Sequence, residues 1–157
     1  MRNNIPQQDV VLGFNGEYRW LSNFYPVKIL YEGVSYPSVE HAYVAAKTID
    51  PNKRRLISNM TAGYAKKYGR QIQIRDDWDD VKSDIMFGLL AEKFSQKKFI
   101  ELLLSTNNMY LEETNTWGDT YWGVCNGVGE NQLGKMLMNI RSALQEMMVQ
   151  SNGLLKE

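Results

Sequence analysis

The chain has 157 residues, of which 43% are apolar, 11% are aromatic, 18 are basic and 18 are acidic. This length and composition predict one globular domain, 1–157, with flexible tails at about 1–9 and 150–157, and they exclude a disordered chain. The formal net charge of zero excludes a protein that binds nucleic acid by bulk attraction. The sequence contains neither the roughly 20 consecutive apolar residues of a membrane span nor a signal-like amino terminus. We therefore expect a cytoplasmic protein that does not bind membranes.

The chain contains one cysteine, Cys125, and one histidine, His41. One cysteine cannot form an internal disulfide, and the two residues together cannot complete a zinc tetrahedron. A Cys/His or Ser/His/Asp catalyst would have to use His41 as its base, and no nucleophile motif marks such a site. We therefore expect a site that contains neither a metal nor a cofactor.

Short β-prone segments separated by glycine and proline occupy the first third of the chain. They indicate a small, hairpin-like antiparallel sheet. The predicted strands are 10–14, 17–20, 27–31 and 34–36.

Capping residues and apolar periodicity predict that the rest of the chain is mostly helical. The predicted helices are 39–49, 51–59, 61–68, 76–94, 97–104 and 132–149, with an irregular segment at 107–129. The last helix carries an apolar stripe that we assign to the core, formed by Met136, Leu137, Ile140, Leu144 and Met148. The sequence thus predicts an α+β fold, predominantly helical, in which a helical bundle surrounds a small N-terminal sheet.

The first predicted helix places an acid, a phenol and an amine on one face. Glu40, Tyr43 and Lys47 are spaced i, i+3 and i+7, and seven residues at about 100° each return to within about 20° of the starting direction. Long helical side chains lean toward the N-terminus, so the Lys47 amine can reach back toward the Glu40 carboxylate. The two groups can therefore meet at one ligand atom. The alternative is that both charges only stabilise the helix dipole.

Basic residues are concentrated in one part of the chain. Seven of them and no acidic residue lie between Lys53 and Arg75, and four aspartates follow within 76–80. Such a run is usually a solvated face, but it can also hold a phosphorylated ligand or a nucleic-acid backbone. We therefore expect any anion binding here to be modest and sensitive to salt.

The segment 127–136 enters the last helix with a pattern that partly matches a phosphate-binding loop. Gly129, Gly134 and Lys135 satisfy G-x-x-x-x-G-K, but Met136 replaces the Ser or Thr that binds magnesium. The chain also lacks βαβ alternation. We therefore reject a P-loop NTPase.

Two further segments combine aromatic and polar residues. Trp117-Gly118-Asp119 and Trp122-Gly123 are suited to stacking a planar base and binding a sugar hydroxyl, although tryptophans are also common in cores. The segment 21–26, Leu-Ser-Asn-Phe-Tyr-Pro, is either a pocket wall or only a turn. From the residues alone, both alternatives stay open.

Taken together, these segments resemble the NADAR family, also called YbiA-like, over nearly the whole chain. The resembling segments are 18–26, 36–41 with Lys47, Gly69-Arg70, Arg75 and Trp78 leading to Lys82 and Met86, 117–123, and 129–141. This chain has Val44 where the family pattern commonly has Gln, so one hydrogen bond to the ligand is missing or is supplied elsewhere. The departure concerns the identity of the substrate more than the class of reaction.

The resemblance implies an N-glycosidase that hydrolyses a ribose–nitrogen bond. Its substrate would be ADP-ribosylated guanine in DNA or RNA or a phosphoribosylated pyrimidine intermediate of riboflavin synthesis. With the first substrate, the reaction would reverse ADP-ribosylation. The implied catalytic residues are Glu40, Lys47 and Asp119. The implied substrate-binding residues are Arg19, Ser22, Asn23, Phe24, Tyr43, Arg70, Trp78, Trp117, Gly118, Trp122 and Asn131.

The resemblance suggests a covalent route through lysine. In this hypothesis Glu40 shuttles protons, Lys47 attacks the anomeric carbon to form an imine, and Asp119 orients a ribose hydroxyl. Direct activation of water by Glu40 stays open. Two other functions also stay open: a non-catalytic module that binds ADP-ribose or an NAD derivative, and a helical interaction module with an exposed apolar stripe on its last helix. The oligomeric state is not predicted.

Overall fold

The computed structural model of the protein describes residues 9–154, which belong to two compact units. The first unit is the chain up to Leu21 and from Gln96 onward, and the second unit is Ser22–Ser95. Most of the two predicted tails, 1–8 and 155–157, lies outside the described residues. Within 9–154, no helix is both long enough and apolar enough to cross a membrane.

The described elements follow one another along the chain as short strands and mostly short helices. In chain order they are β1 (Val10–Leu12), a 3-10 helix (Gly16–Leu21), β2 (Ile29–Tyr31), β3 (Val34–Tyr36), α1 (Val39–Ala46), α2 (Pro51–Ser58), α3 (Ala62–Gly69), α4 (Trp78–Lys93), α5 (Lys97–Ser105), β4 (Tyr110–Glu112), β5 (Thr114–Asn115), β6 (Val124–Cys125) and α6 (Gln132–Leu154). This composition confirms the predicted α+β class with a predominance of helix.

The second unit is built around α1. This helix packs against α2, α3 and α4, and all of its residues except Glu40 are buried. Three alanines, each fully buried, allow the neighbouring helices to approach closely: Ala42, Ala45 and Ala46. Strands β2 and β3 pair antiparallel, as the sequence predicts, and the register places Ile29 opposite Tyr36 and Tyr31 opposite Val34.

Side-chain caps fix the starts of the first three helices. The Ser38 hydroxyl accepts a hydrogen bond from the His41 amide at 3.2 Å, and the Asp50 carboxylate accepts one from the Asn52 amide at 2.9 Å. The Thr61 hydroxyl accepts one from the amide three residues later, at 3.2 Å. Each cap satisfies an amide that has no partner within its own helix. The predicted starts of these helices are therefore confirmed.

The first unit is held together by parallel strand pairs and by α6. β1 pairs with β4 in parallel, with Val11 opposite Leu111, and β5 pairs with β6 in parallel. α6 packs against β4, and Gly134 makes this approach so close that a Cβ there would lie 2.1 Å from the Leu111 carbonyl oxygen. The glycine in this loop-to-helix segment thus serves packing.

Four local predictions are wrong. The segment 10–14 is not part of an N-terminal antiparallel sheet, since β1 pairs in parallel with β4. The segment 17–20 is not a strand but part of the 3-10 helix, in which the adjacent residues Trp20 and Leu21 are both buried, a pattern that a one-sided strand does not give. The segment 107–129 is not wholly irregular, since it contains β4, β5 and β6. Met148 is 51% exposed rather than in the core, because α6 continues to Leu154 with residues 146–154 all exposed.

Candidate active site

The N-terminus of α1 positions Glu40 in the second unit. Ser38 caps the helix, and the amide of Glu40, in the first turn, donates a hydrogen bond to the Asn23 carbonyl oxygen at 3.0 Å. The segment 22–25 therefore caps the helix together with Ser38. Glu40 itself is half-buried, whereas the other residues of α1 are buried.

Lys47 lies immediately after α1 and continues its path. Its backbone is helical, with φ −65° and ψ −21°, so the predicted common face of Glu40, Tyr43 and Lys47 persists to this position. The Lys47 ammonium nitrogen lies 5.5 Å from the ring centroid of Tyr43 and 6.0 Å from that of Trp78, which comes from α4. The two ring centroids are 5.1 Å apart, with their planes tilted by 55°. The structure thus places the amine against two aromatic rings.

The surroundings of Lys47 stabilise its neutral form more than water does. Burial of the amine lowers the pKa of Lys47 below its ordinary value, and the positive charges of Arg70 and Lys66 lower it further, whereas the negative charge of Glu40 raises it. A neutral amine has a free electron pair and can act as a nucleophile. The negative charge of Glu40 acts on that amine electrostatically.

The segment 22–25 is a turn and also carries exposed aromatic surface. The Tyr25 amide donates to the Ser22 carbonyl oxygen at 3.1 Å, and the Phe24 amide donates to the Ser22 hydroxyl, also at 3.1 Å. Phe24 is 38% exposed, and the ammonium nitrogen of Lys66 lies 5.4 Å from its ring centroid. The side-chain amide nitrogen of Asn23 lies 3.6 Å from the Met86 sulfur. Of the two interpretations of this segment, the turn is confirmed, and its contribution to a ligand pocket stays a prediction.

Lys93 is a buried lysine that the sequence analysis does not single out. Its ammonium nitrogen donates to the Ser22 carbonyl oxygen at 2.9 Å and lies 5.9 Å from the ring centroid of Tyr25. The side chain is fully buried, and this burial lowers the pKa of Lys93 to about 7. The spacing of Met86, Leu89 and Lys93 along α4 places all three on the buried face, which is the sequence signal that identifies it. Lys93 supports the segment 22–25.

Replacement of Lys93 by methionine is expected to change how stability depends on pH. Between pH 7 and the ordinary lysine value of 10.5, the unfolded chain keeps the proton that the folded protein has lost. The wild-type free energy of unfolding therefore gains about 2 kcal/mol from this group between pH 7 and pH 9. Denaturant unfolding of wild type and Lys93→Met at pH 7, 8 and 9 measures the difference between their free energies of unfolding. The contributions of all other titrating groups cancel in this difference. Parallel curves for the two proteins would contradict the buried, deprotonating amine.

His41 has a structural role within the second unit. Its side chain is 3% exposed, its Nε2 lies 2.7 Å from the Met60 carbonyl oxygen, and its Nδ1 lies 2.6 Å from the Ser38 hydroxyl. Because a carbonyl oxygen only accepts, Nε2 donates this hydrogen bond. Both ring nitrogens are used within the protein, in agreement with the sequence analysis, which disfavours histidine-based nucleophilic catalysis.

A cleft of the second unit lies away from the predicted site residues, none of which lines it. It has a volume of about 590 Å³ and is lined by residues 48–50, 53 and 73–77. Arg75, which belongs to the basic run, is ion-paired there with Asp77 at 2.6 Å, and Arg54 is paired with Glu32. Part of the basic run is therefore already neutralised by acidic partners.

The remaining predicted site residues belong to the first unit. Asp119 Oδ1 accepts hydrogen bonds from the Tyr121 and Trp122 amides, at 3.2 Å and 2.9 Å. Trp117 is 57% exposed, and the following Gly118 has a φ of +85°, which favours glycine. One oxygen of the Asp119 carboxylate thus shapes the local turn.

The two other predicted residues of this unit differ sharply in exposure. Arg19 is exposed on the 3-10 helix, whereas Asn131 is 2% exposed. The Asn131 side chain accepts from the Glu113 amide at 3.0 Å and donates to the Leu111 carbonyl oxygen at 2.9 Å. This amide holds β4 against the start of α6. The assignment of the first-unit residues to substrate binding stays a prediction.

The model of the NADAR domain family matches residues 13–145 of the chain. Among curated proteins, the chain is 34% identical over 152 residues to a riboflavin biosynthesis protein of Vibrio vulnificus, which covers 93% of this chain. The chain spans 41% of the length of that relative.

Two comparisons concern a protein named YbiA. The chain is 34% identical over 147 residues to the N-glycosidase YbiA of Escherichia coli, covering 87% of this chain and 90% of that protein. The solution structure of E. coli YbiA matches with a TM-score of 0.78 and 31% identity, covering 94% of this chain and 92% of the other. The α+β architecture is therefore shared with a solved relative.

Proposed function

The chain belongs to the NADAR domain family, and we propose that it is an N-glycosidase that hydrolyses the bond between ribose and a nitrogen of a planar base. Curated relatives that span this chain are named N-glycosidases. The observation that carries the proposal is the Lys47 amine, which lies against Tyr43 and Trp78 and has a lowered pKa, within the electrostatic reach of Glu40.

In the first half of the proposed reaction, Lys47 replaces the base. The electron pair of its neutral amine forms a bond to the anomeric carbon, and the bond from that carbon to the base nitrogen breaks. The Glu40 carboxylate has first taken a proton from the Lys47 ammonium, which leaves the amine neutral. The electron pair of the broken bond goes to the base, which takes this proton from Glu40. The bond to the ribose ring oxygen then opens, this oxygen takes up the proton lost by the amine, and the anomeric carbon is joined to Lys47 as an imine.

In the second half, water replaces Lys47. Glu40, now a carboxylate, accepts a proton from the water that adds to the anomeric carbon of the imine. The proton of the new hydroxyl group passes to the Lys47 nitrogen, and the carbon–nitrogen bond breaks. Lys47 leaves as a neutral amine with the electron pair of that bond, and the released ribose, now an aldehyde, closes its ring. The net reaction adds one water and yields the free base and a ribose. Both candidate substrates, ADP-ribosylated guanine and a ribosylaminopyrimidine phosphate, contain the bond that this sequence breaks.

Borohydride reduction during turnover tests the covalent step. The purified protein is incubated with each of the two candidate substrates, release of the sugar is followed, and borohydride is added while turnover proceeds. An imine becomes a stable amine on reduction, so we expect mass spectrometry to find a sugar adduct on Lys47 and on no other lysine.

The outcomes separate the alternatives. Release of the sugar without an adduct would remove the covalent route and favour direct activation of water by Glu40. Tight binding without any release would support a non-catalytic module that binds ADP-ribose. Unchanged turnover in the presence of a chelator is expected because none of the proposed steps uses a metal, and a strict requirement for a divalent ion would contradict the scheme.

A further inference from the structure

Helix α3 approaches α1 unusually closely just before Lys47. A Cβ atom at Gly69 would lie 3.0 Å and 3.1 Å from the two methyl carbons of Val44, which is itself 1% exposed. The side chain at position 44 thus lies in the contact between the two helices. This contact brings the last turn of α3, and Arg70 directly after it, beside the C-terminal end of α1.

Two cations lie next to the buried face of α3, a half-buried lysine within the helix and an exposed arginine directly after it. Lys66 and Arg70 are spaced i and i+4, so they lie on one face of the helix. Lys66 is half-buried, and its ammonium nitrogen lies 5.4 Å from the ring centroid of Phe24. The adjacent Lys67 is exposed. The contact with the ring limits the positions that the ammonium group of Lys66 can take.

Both charges act on the proposed nucleophile. Lys66 and Arg70 are among the groups that lower the pKa of Lys47, and Lys67 is not. A phosphate on C5 of a ribose is only a few bonds from its anomeric carbon. A group that binds this phosphate must therefore lie close to the group that attacks the anomeric carbon. The contact between Gly69 and Val44 brings the end of α3 beside the end of α1, and the contact of Lys66 with Phe24 brings Lys66 to the turn that caps the helix at Glu40.

We infer that Lys66 and Arg70 form the subsite for the 5-phosphoryl group of the substrate's ribose, with Phe24 holding Lys66 in place. This inference rests on the proposed function, since it names the part of the substrate that α3 recognises. A guanidinium presents paired donors to a phosphate, and an ammonium adds a point charge, so the two together suit a phosphoryl group. The same chemistry fits the monophosphate of a small metabolite and the diphosphate of ADP-ribose.

The test compares Lys66→Gln with Lys67→Gln, two neighbouring lysines on one helix. The kinetic constants kcat and KM are measured for a ribosylaminopyrimidine 5-phosphate and for its phosphatase-treated form. We expect Lys66→Gln to reduce the preference for the phosphorylated form, measured as the ratio of kcat/KM values, by about tenfold or more. Lys67→Gln is expected to change this preference less than twofold, and Lys66→Arg to retain most of it.

A second readout separates recognition from a general loss of structure. Removal of the Lys66 charge raises the pKa of Lys47, so the acidic limb of the kcat profile is expected to move to higher pH in Lys66→Gln and to stay in place in Lys67→Gln. Equal losses on the phosphorylated and phosphatase-treated substrates, or equal losses in the two variants, would overturn the inference.

The two sources of the phosphoryl group are distinguished by running the same series with an oligonucleotide ADP-ribosylated on guanine. The substrate whose turnover depends on Lys66 identifies the source. If wild-type protein cleaves neither substrate, the proposed function fails, and the subsite is then tested alone by calorimetry with ribose 5-phosphate. Weaker binding in Lys66→Gln than in Lys67→Gln would support the subsite, and equal binding would overturn it.

Discussion

Replacement of Lys47 by arginine is expected to lower kcat by about a thousandfold or more. Arginine keeps the positive charge and most of the length of the side chain, but its guanidinium does not lose its proton in proteins and cannot attack carbon. Any role of Lys47 in attracting a phosphorylated substrate should survive, so we expect KM to change by much less than kcat. Single-turnover kinetics with wild type and Lys47→Arg measure the chemical step directly.

Lys67→Arg is the matched control for this substitution. Lys67 is exposed on α3, so the same exchange there is expected to leave kcat unchanged. If Lys47→Arg retains more than about a tenth of the wild-type kcat, Lys47 acts only by its charge, and the imine scheme is wrong. No borohydride adduct should form on Lys47→Arg in either case.

Replacement of Glu40 by glutamine is expected to lower kcat by about a hundredfold to ten-thousandfold, the usual contribution of a positioned acid or base. Glutamine keeps the size and polarity of the side chain but neither accepts nor releases a proton at the relevant pH. The substitution also removes the negative charge that raises the pKa of Lys47, so the acidic limb of the kcat profile is expected to move to lower pH.

These two effects have opposite consequences near neutral pH, and this distinguishes the roles of Glu40. If Glu40 only tuned Lys47, its loss would leave more of the amine neutral and would raise the rate. If Glu40 transfers protons, the rate falls although more of the amine is neutral. A near-normal or higher rate in Glu40→Gln would therefore dismiss the proton shuttle. Glu101→Gln, at an exposed position of α5, is the control.

The helices of the second unit follow directly from local sequence signals. Ser38 and Asp50 each cap a helix as their positions predict, and Thr61, the first residue of the third predicted helix, is the cap of α3. The long apolar pattern that begins at Trp78 gives α4 to within two residues at its start and one at its end. Local signals suffice there because a cap is a contact within one turn of the chain. The predicted end of α1 is less accurate, since the helix ends at Ala46 and not at residue 49.

The strands of the first unit could not be predicted from local signals. β4, β5 and β6 have only two or three residues each, too few for a periodicity of two to appear. β1 pairs in parallel with β4, about 100 residues further along the chain, so the pairing depends on the tertiary fold. The apolar residues at the end of α6 follow a helical pattern, but the helix extends past the surface that covers its beginning.

The residues of the candidate site also fall into those that local sequence predicts and those that only the tertiary fold brings together. Glu40, Tyr43 and Lys47 belong to one helix, so their spacing alone predicts a common face. Trp78 reaches Lys47 from another helix, and Lys66 reaches Phe24 across the tertiary fold. The sequence supplied Trp78 only through its resemblance to a family. It did not single out Lys66 because a lysine in a basic run is usually solvated.

The turn at 22–25 constrains how a protein of this kind can diversify during evolution. Its Ser22 carbonyl is bonded to the buried Lys93, its Asn23 carbonyl caps the helix at Glu40, and its Phe24 ring lies against Lys66. A mutation in this turn therefore disturbs the acid and the anion-binding lysine at the same time. We expect lineages that acquire a new ligand preference to have exchanged side chains on α3, where one contact can change while the turn is inherited intact.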